Sequence, residues 1–443
     1  MPSNKQGSGF IEGLKVVVLV VLVGFIAFFA GGVTTQLKIG PLTDVMQRTA
    51  MAVVYLYGST SEADLHESIW VPTDRTASPD APIYLHDPVL AGKGLNLVVS
   101  AANQEATLIT MDGRTVHRWA KRYDQIWQGT AIGDDTAWIE NIYWRRVKLL
   151  DNGALLVVFE TPSRTPYGLG LVKLDKDSNV VWKLSENLHH DTSVDSKGNI
   201  YALGQRINEQ GYRGYARLKP PFIDDSVVVL SPDGEKLKEI FIVDAFLNSD
   251  YAPMLDTMPA NLVGDPIHAN TVEYIDEETA TRFPFAKGGD LLISMREMST
   301  IAVLDPVTEK IVWARNGPWR QQHEPVMLKN GNILIFDNQG IMESAGRTRI
   351  IEFNPTTGAI DWSFDGTAKD PLVSMFFGSI QHLANGNTLI TDTRSGRAVE
   401  VTPKGEVAWD YRTPHRKTVD GRQYVMPLFD VVRIDPDAAA FLD

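Results

Sequence analysis

Two stretches of this chain place a histidine at matched register. His323-Glu-Pro-Val-Met-Leu-Lys-Asn-Gly331 and His190-Asp-Thr-Ser-Val-Asp-Ser-Lys-Gly198 each set it eight residues before a turn glycine. The same count back from Gly153 reaches Arg145, and from Gly386 it reaches Gly378. His268 has no short turn after it, but Val272 follows it by four residues, as Val194 follows His190. Arg145, His190, His268 and His323 are therefore expected in one ring, with Arg296 nearby and small Gly378 leaving room. Neutral imidazoles beside guanidinium groups suit an oxyanion such as sulfate or phosphate, which arginine grips with paired hydrogen bonds. Imidazole can also act as nucleophile or general acid–base near neutral pH. His382 precedes its glycine by only four residues, so it shares the parity of the ring but lies about 13 Å further along its strand. The bland alternative is a polar, wet channel lined by structural side chains.

A three-histidine zinc site would need bonds of about 2.1 Å. Histidines on separate units around a wide channel are too far apart for that, so neither metal nor cofactor is expected. Asp191 and Glu324, each next to a ring histidine, either orient the imidazoles or are solvated. The Met375-Phe376-Phe377 run either lines a pocket for an aromatic ring or packs in the core, and core packing is the simpler expectation.

The elements that carry these residues recur. One half of the unit is an apolar strand, a tight glycine turn and a second apolar strand, as in Lys148–Val158, Thr192–Tyr201, Val326–Ile335 and Ile380–Ile390. Asn-Gly between apolar runs is a strong hairpin signal, because the turn requires positive φ. The other half is a second hairpin ending in an aromatic or aliphatic residue, with six copies at 108–119, 171–182, 227–240, 301–313, 350–362 and 398–409. Trp313, Trp362 and Trp409 are 49 and 47 residues apart. Two hairpins at that period predict a four-stranded unit, and six of them an all-β, six-bladed β-propeller. The tryptophans are expected to pack between blades. Insertions at Thr161–Gly168, Ile207–Pro220 and Phe246–Asp265 are expected to build a binding face.

Composition limits the partners. The 443 residues carry a net charge of −13 and no cysteine. This argues against nucleic acid as partner and excludes disulfides and thiolate chemistry. The 22 residues Val16–Leu37 lack any charge, and as a helix they would span a bilayer. The expected order is a cytoplasmic N-terminus (1–15), an uncleaved transmembrane helix (16–37), a stalk or linker (38–94), the propeller (95–435) and a short tail (436–443). The propeller is expected on the periplasmic or extracellular side of the cell (inner) membrane.

Several motifs resemble the bacterial arylsulfotransferase family: Asp265-Pro-Ile-His-Ala-Asn-Thr-Val-Glu-Tyr, Leu291-Leu-Ile-Ser-Met-Arg-Glu, Gln322-His-Glu-Pro, Phe336-Asp-Asn, Phe376–Leu389 and Leu428-Phe-Asp-Val-Val-Arg. The resemblance spans roughly residues 90–435. It implies an exported six-bladed propeller that moves a sulfuryl group between phenolic compounds through a sulfohistidine, without a nucleotide donor. His268 and His323 would then be sulfate-binding or acid–base histidines. Arg296 matches the family's arginine on the strand after the His-Ala-Asn strand, and Arg347 is the nearest arginine after Phe336-Asp-Asn; these two, with the ring residues Arg145 and His190 and with Arg394, are expected to bind substrate. The family nucleophile lies on a late inner strand, where this chain reads Thr391-Asp-Thr-Arg394 without a histidine. Either His382 or a ring histidine substitutes, or the transfer chemistry is lost. The competing expectation is a non-catalytic propeller that binds a partner or serves as an accessory subunit of a membrane complex.

Overall fold

A computed structural model describes residues 70–73, 81–129, 141–215, 217–258, 264–339 and 348–442. The expected anchor and Arg347 lie outside the described residues. The rest is all-β and propeller-like. Among the described residues, six antiparallel sheets of four or five strands follow one another, with a separate three-stranded sheet formed by Val71–Pro72, Arg422–Val425 and Arg416–Val419.

Strand Leu155–Glu160 shows why the sheets stack. Its side chains alternate between two faces, and every residue of it is buried. Leu155, Val157 and Phe159 pack with Leu97, Leu108 and Trp119 of the sheet before. Leu156 and Val158 pack with Ala202 and Val228 of the sheet after. Strand Ile333–Asp337 repeats the pattern, with Ile333 and Ile335 facing one neighbour and Leu334 and Phe336 the other. Each such side chain contributes about 1.5–3 kcal/mol by burial. A strand packed on both faces reads as an unbroken apolar run, here Leu155–Phe159 and Ile333–Phe336, each closed by a buried carboxylate, Glu160 or Asp337.

The tryptophans join consecutive sheets by hydrogen bonds as well as packing. Trp119 Nε1 donates to Gly153 O, Trp182 Nε1 to Pro232 O, Trp362 Nε1 to Pro403 O and Trp409 Nε1 to Met111 O, all at 3.0–3.1 Å. Each acceptor lies in or beside a turn of the following sheet.

The first strands of the sheets face inward and touch in order. They are Tyr143–Leu149, Leu188–Val194, Ala269–Tyr274, His323–Met327, Ser379–His382 and Leu428–Ile434, and the last again meets the first. Leu428–Ile434 pairs with Leu95–Ser100, so the two ends of the domain share one sheet.

Two expectations change here. Ile83–His86, read as linker, is a fifth strand on the outer edge of Val407–Arg412, where Arg412 stacks over Tyr84 at 3.9 Å. Gly378 does not leave room. A Cβ there would lie 2.3 Å from Phe336 Cζ, and its φ is +135°. Phe336 takes the space that a side chain would need.

Candidate active site

The inner strands are irregular at the level of the ring. The ladder slips between Trp144 and Arg146, His189 and Thr192, Ala269 and Thr271, His323 and Val326, and Leu428 and Asp430. A bulge breaks strict alternation and re-aims side chains. His190, His268 and Glu324 adopt φ of 52°, 50° and 47°, a region sparsely used by residues other than glycine.

The bulges gather three imidazoles. The rings of His190 and His268 meet edge to face at 5.1 Å, and Tyr167 packs against both at 5.5 and 5.8 Å. Each imidazole is held by Nδ1. His268 Nδ1 donates to Asp265 Oδ2 at 2.6 Å. Asn338 donates its amide hydrogens to Ser374 O and Phe377 O at 2.7 Å. Its Oδ1 therefore accepts from His323 Nδ1, at 2.8 Å. His189 Nε2 faces the carbonyl of Gly204 at 3.3 Å and donates to it, so its Nδ1 accepts from His190 Nδ1 at 2.9 Å. With Nδ1–H committed in all three, the lone pair of each ring in its neutral form lies on Nε2.

Burial, then the nearby Arg145, holds the His190 imidazole well below its usual range. Burial, then Arg296, does the same for His323. His189 is pushed down to about 3, chiefly by burial. These rings are neutral near pH 7. Burial works to raise Asp265, but His268 more than offsets it and keeps this carboxyl below its ordinary value.

Guanidinium groups and aromatic rings complete the site. Arg145 lies over Phe377 at 5.1 Å and Phe429 at 5.5 Å. Phe376 has Arg296 at 5.4 Å and Arg394 at 5.7 Å. The Met375–Phe377 run is thus only half-buried and edges the site, contrary to the core expectation. Arg394 is half-buried and no carboxylate pairs with it among the described residues; burial lowers its pKa. A guanidinium withdrawn from water without a counter-ion favours an anionic ligand.

Glu160, His189 and His190 place one potential ligand atom each within 4.8 Å of one another. The two Nδ1 atoms already share a proton at 2.9 Å, so the trio is a hydrogen-bonded chain, not an open set of lone pairs.

The structure brings Arg145, His190, His268, His323, Arg296 and Arg394 into this neighbourhood. It does not bring His382, which is exposed at the end of its strand opposite Thr388. No hydrogen bond or ring contact joins it to the cluster among the described residues. Its strand pairs without a slip, so the four residues between Gly378 and His382 carry it away from the ring, as the count from Gly386 implies.

Sequence reasoning missed Asn338, although it lies inside the Phe336-Asp-Asn motif. It missed Tyr167 and Asp265, which come from two of the anticipated insertions. It also missed His189, which pairs with Leu203 as His323 pairs with Phe336. Asp191 and Glu324 turn to Arg146, not to the imidazoles.

A family model for arylsulfotransferases (ASST) matches residues 146–414. The chain belongs to the arylsulfotransferase family. The match takes in His190, His268, His323, Arg296 and Arg394, and begins one residue after Arg145. No curated protein matches this arylsulfotransferase-family chain. Among solved structures, a protein of unknown function from Bacteroides caccae aligns with TM-score 0.45 and 12% identity, over 72% of this chain and 94% of that one. A streptogramin B lyase gives 0.41 and 10%, over 80% and 87%. The WD40 β-propeller domain of Doa1 gives 0.39 and 10%, over 82% and 95%.

Proposed function

We propose that this protein is a six-bladed arylsulfotransferase that moves a sulfuryl group between phenolic compounds through a histidine intermediate. The observation that carries the reading is the common state of His190, His268 and His323: each has Nδ1–H committed and Nε2 open, beside Arg145, Arg296 and Arg394. His323 suits the nucleophile, because its partner Asn338 is neutral and leaves the ring neutral. His268 suits the acid–base role, because Asp265 stabilises the imidazolium it becomes.

His323 Nε2 attacks sulfur, forming an N–S bond as the S–O bond to the aryl group breaks. His268, having first taken a proton on Nε2 from solvent to become the imidazolium paired with Asp265, gives that proton to the departing phenolate oxygen. The acceptor phenol then loses its proton to His268 while its oxygen attacks sulfur and the N–S bond breaks. The arginines stabilise the sulfuryl oxygens in both transfers, and Phe376 and Phe377 offer faces to the aryl rings.

The rival reading is a binding or accessory propeller. It rests on Thr391–Arg394, which holds an arginine where the resembling family would hold its nucleophile. Incubation with 4-nitrophenyl sulfate and a phenol separates the two. Transfer that disappears in His323→Ala, with acid-labile sulfate trapped on the wild type, supports the enzyme. No nitrophenolate release above blank across several acceptors excludes it for this donor class.

We further propose that Val16–Leu37 anchors the propeller outside the cytoplasm. Extraction of the full chain by alkaline carbonate would overturn that assignment.

A further inference from the structure

Beneath the imidazoles, one guanidinium joins the inner strands. Arg146 Nε donates to Asp191 Oδ1 at 2.9 Å and Nη1 to Asp430 Oδ2 at 2.8 Å, while Nη2 donates to Glu324 Oε1. The carboxylates and their neighbours reach further. Asp191 Oδ2 accepts from Val272 N at 3.1 Å, Glu324 N donates to Thr271 Oγ1 at 3.1 Å, and Asp430 Oδ1 accepts from Ser379 Oγ at 2.6 Å. These residues lie on all six inner strands.

The sequence relation between this hub and the site is regular. Arg145 precedes Arg146, His190 precedes Asp191, His323 precedes Glu324 and Phe429 precedes Asp430. Every spoke of the hub is thus the next residue after one at the ring. Each pair also falls at a slip of its ladder. The slip aims one side chain at the ring and its successor at the guanidinium. His268 is the exception. Its successors supply no carboxylate to Arg146, and Asp265 holds it instead.

We infer that Arg146 is a positioning residue for His190 and His323: by binding Asp191 and Glu324 it fixes the two bulges that aim those imidazoles. Three acceptors from separate strands need a rigid planar fork. A lysine ammonium is a single point charge and cannot reproduce that geometry. The consequence for turnover rests on the histidine-transfer reading, whereas the geometry does not.

The test uses the full chain with 15N-labelled histidine, its imidazole signals assigned by single His→Gln variants. Wild type should show the Nδ1–H tautomer at His190, His268 and His323. Arg146→Met should leave His268 unchanged but replace the single tautomer at His190 and His323 by exchange-averaged signals. Arg146→Lys should restore them only in part. Aryl sulfate turnover should fall about 100-fold or more in Arg146→Met, as a displacement near 1 Å does. A purely structural Arg146 would lower the melting temperature and leave all three tautomers as in wild type, and that result overturns the inference. If Arg146→Met does not fold, the single spokes decide: Asp191→Asn should disturb His190 alone, and Glu324→Gln His323 alone. Equal or no effect on the two histidines overturns it as well. Absence of sulfuryl transfer in wild type, with the expected spectra, would reject the enzyme reading and keep the positioning role.

Discussion

Asn338 decides which nitrogen of His323 carries the proton. Its amide hydrogens are both spent on the Ser374 and Phe377 carbonyls, so its oxygen can only accept, and His323 Nδ1 is the donor at 2.8 Å. A neutral amide orients the ring and raises its basicity only in part, so burial and Arg296 still hold it well below its usual range. A carboxylate at the same place would add a charge interaction and raise the basicity further.

That difference is testable at one position. Asn338→Leu removes the acceptor and should lower sulfuryl transfer by about 100-fold or more, the range of a lost acid–base or tautomer contact. Asn338→Asp should favour the imidazolium and move the acidic limb of the rate profile to higher pH. An unchanged acidic limb in Asn338→Asp would show that His323 is not the group whose neutral form reacts.

The role of His268 predicts a dependence on the leaving group. Asp265→Asn and His268→Ala should slow transfer from phenyl sulfate by about 10²–10⁴-fold. They should slow transfer from 4-nitrophenyl sulfate much less, because nitrophenolate leaves without a proton. Rates over a series of substituted phenyl sulfates measure this. Equal losses across the series would remove the acid role.

Arg394 has no carboxylate partner among the described residues, so it is expected to serve the ligand and not the fold. Arg394→Met should raise KM by about 10-fold or more, from loss of a charge-assisted contact worth about 1.5–3 kcal/mol. Its urea midpoint should shift by an amount equivalent to less than about 0.5 kcal/mol. A large stability loss with unchanged KM would reverse the assignment.

Titration of the hub gives a pH signature. Burial, with Asp191 and Asp430 beside it, pushes Glu324 up to about 8 despite Arg146. A carboxyl raised from 4.5 to about 8 binds its proton more tightly when folded, so stability falls as pH rises between those values. Glu324→Gln should flatten that slope. His189 works at the other end. Lowered from 6.5 to about 3, it contributes stability above pH 6.5 that is lost as pH falls toward 3. Chemical denaturation from pH 3 to 9, wild type against Glu324→Gln, checks both limbs.

Gly378 is fixed by its neighbour. Gly378→Ala puts a methyl 2.3 Å from Phe336 Cζ at a φ of +135°. It should cost about 2 kcal/mol or more, from overpacking and backbone strain together. A denaturation midpoint within error of wild type would mean that Phe336 can move aside.

Much of the fold was written in local pattern. Asn-Gly turns and tryptophans at a constant period specify paired hairpins, because turn geometry and two-sided burial act on residues near one another in the chain. Local pattern also placed Arg145, His190 and His323 at one level by the count from their turns, and His268 beside them because Val272 follows it as Val194 follows His190. Tertiary structure alone decided what each does. The ladder slips set His189 opposite Leu203, although the count from Gly198 favours His190. They send Asp191 and Glu324 to Arg146. Tautomer, charge and aim depend on partners such as Asn338, Gly204 and Arg146, which belong to other strands or other sheets. A hydrogen bond across the channel leaves no periodicity along the chain, so those decisions appear only when the strands are assembled.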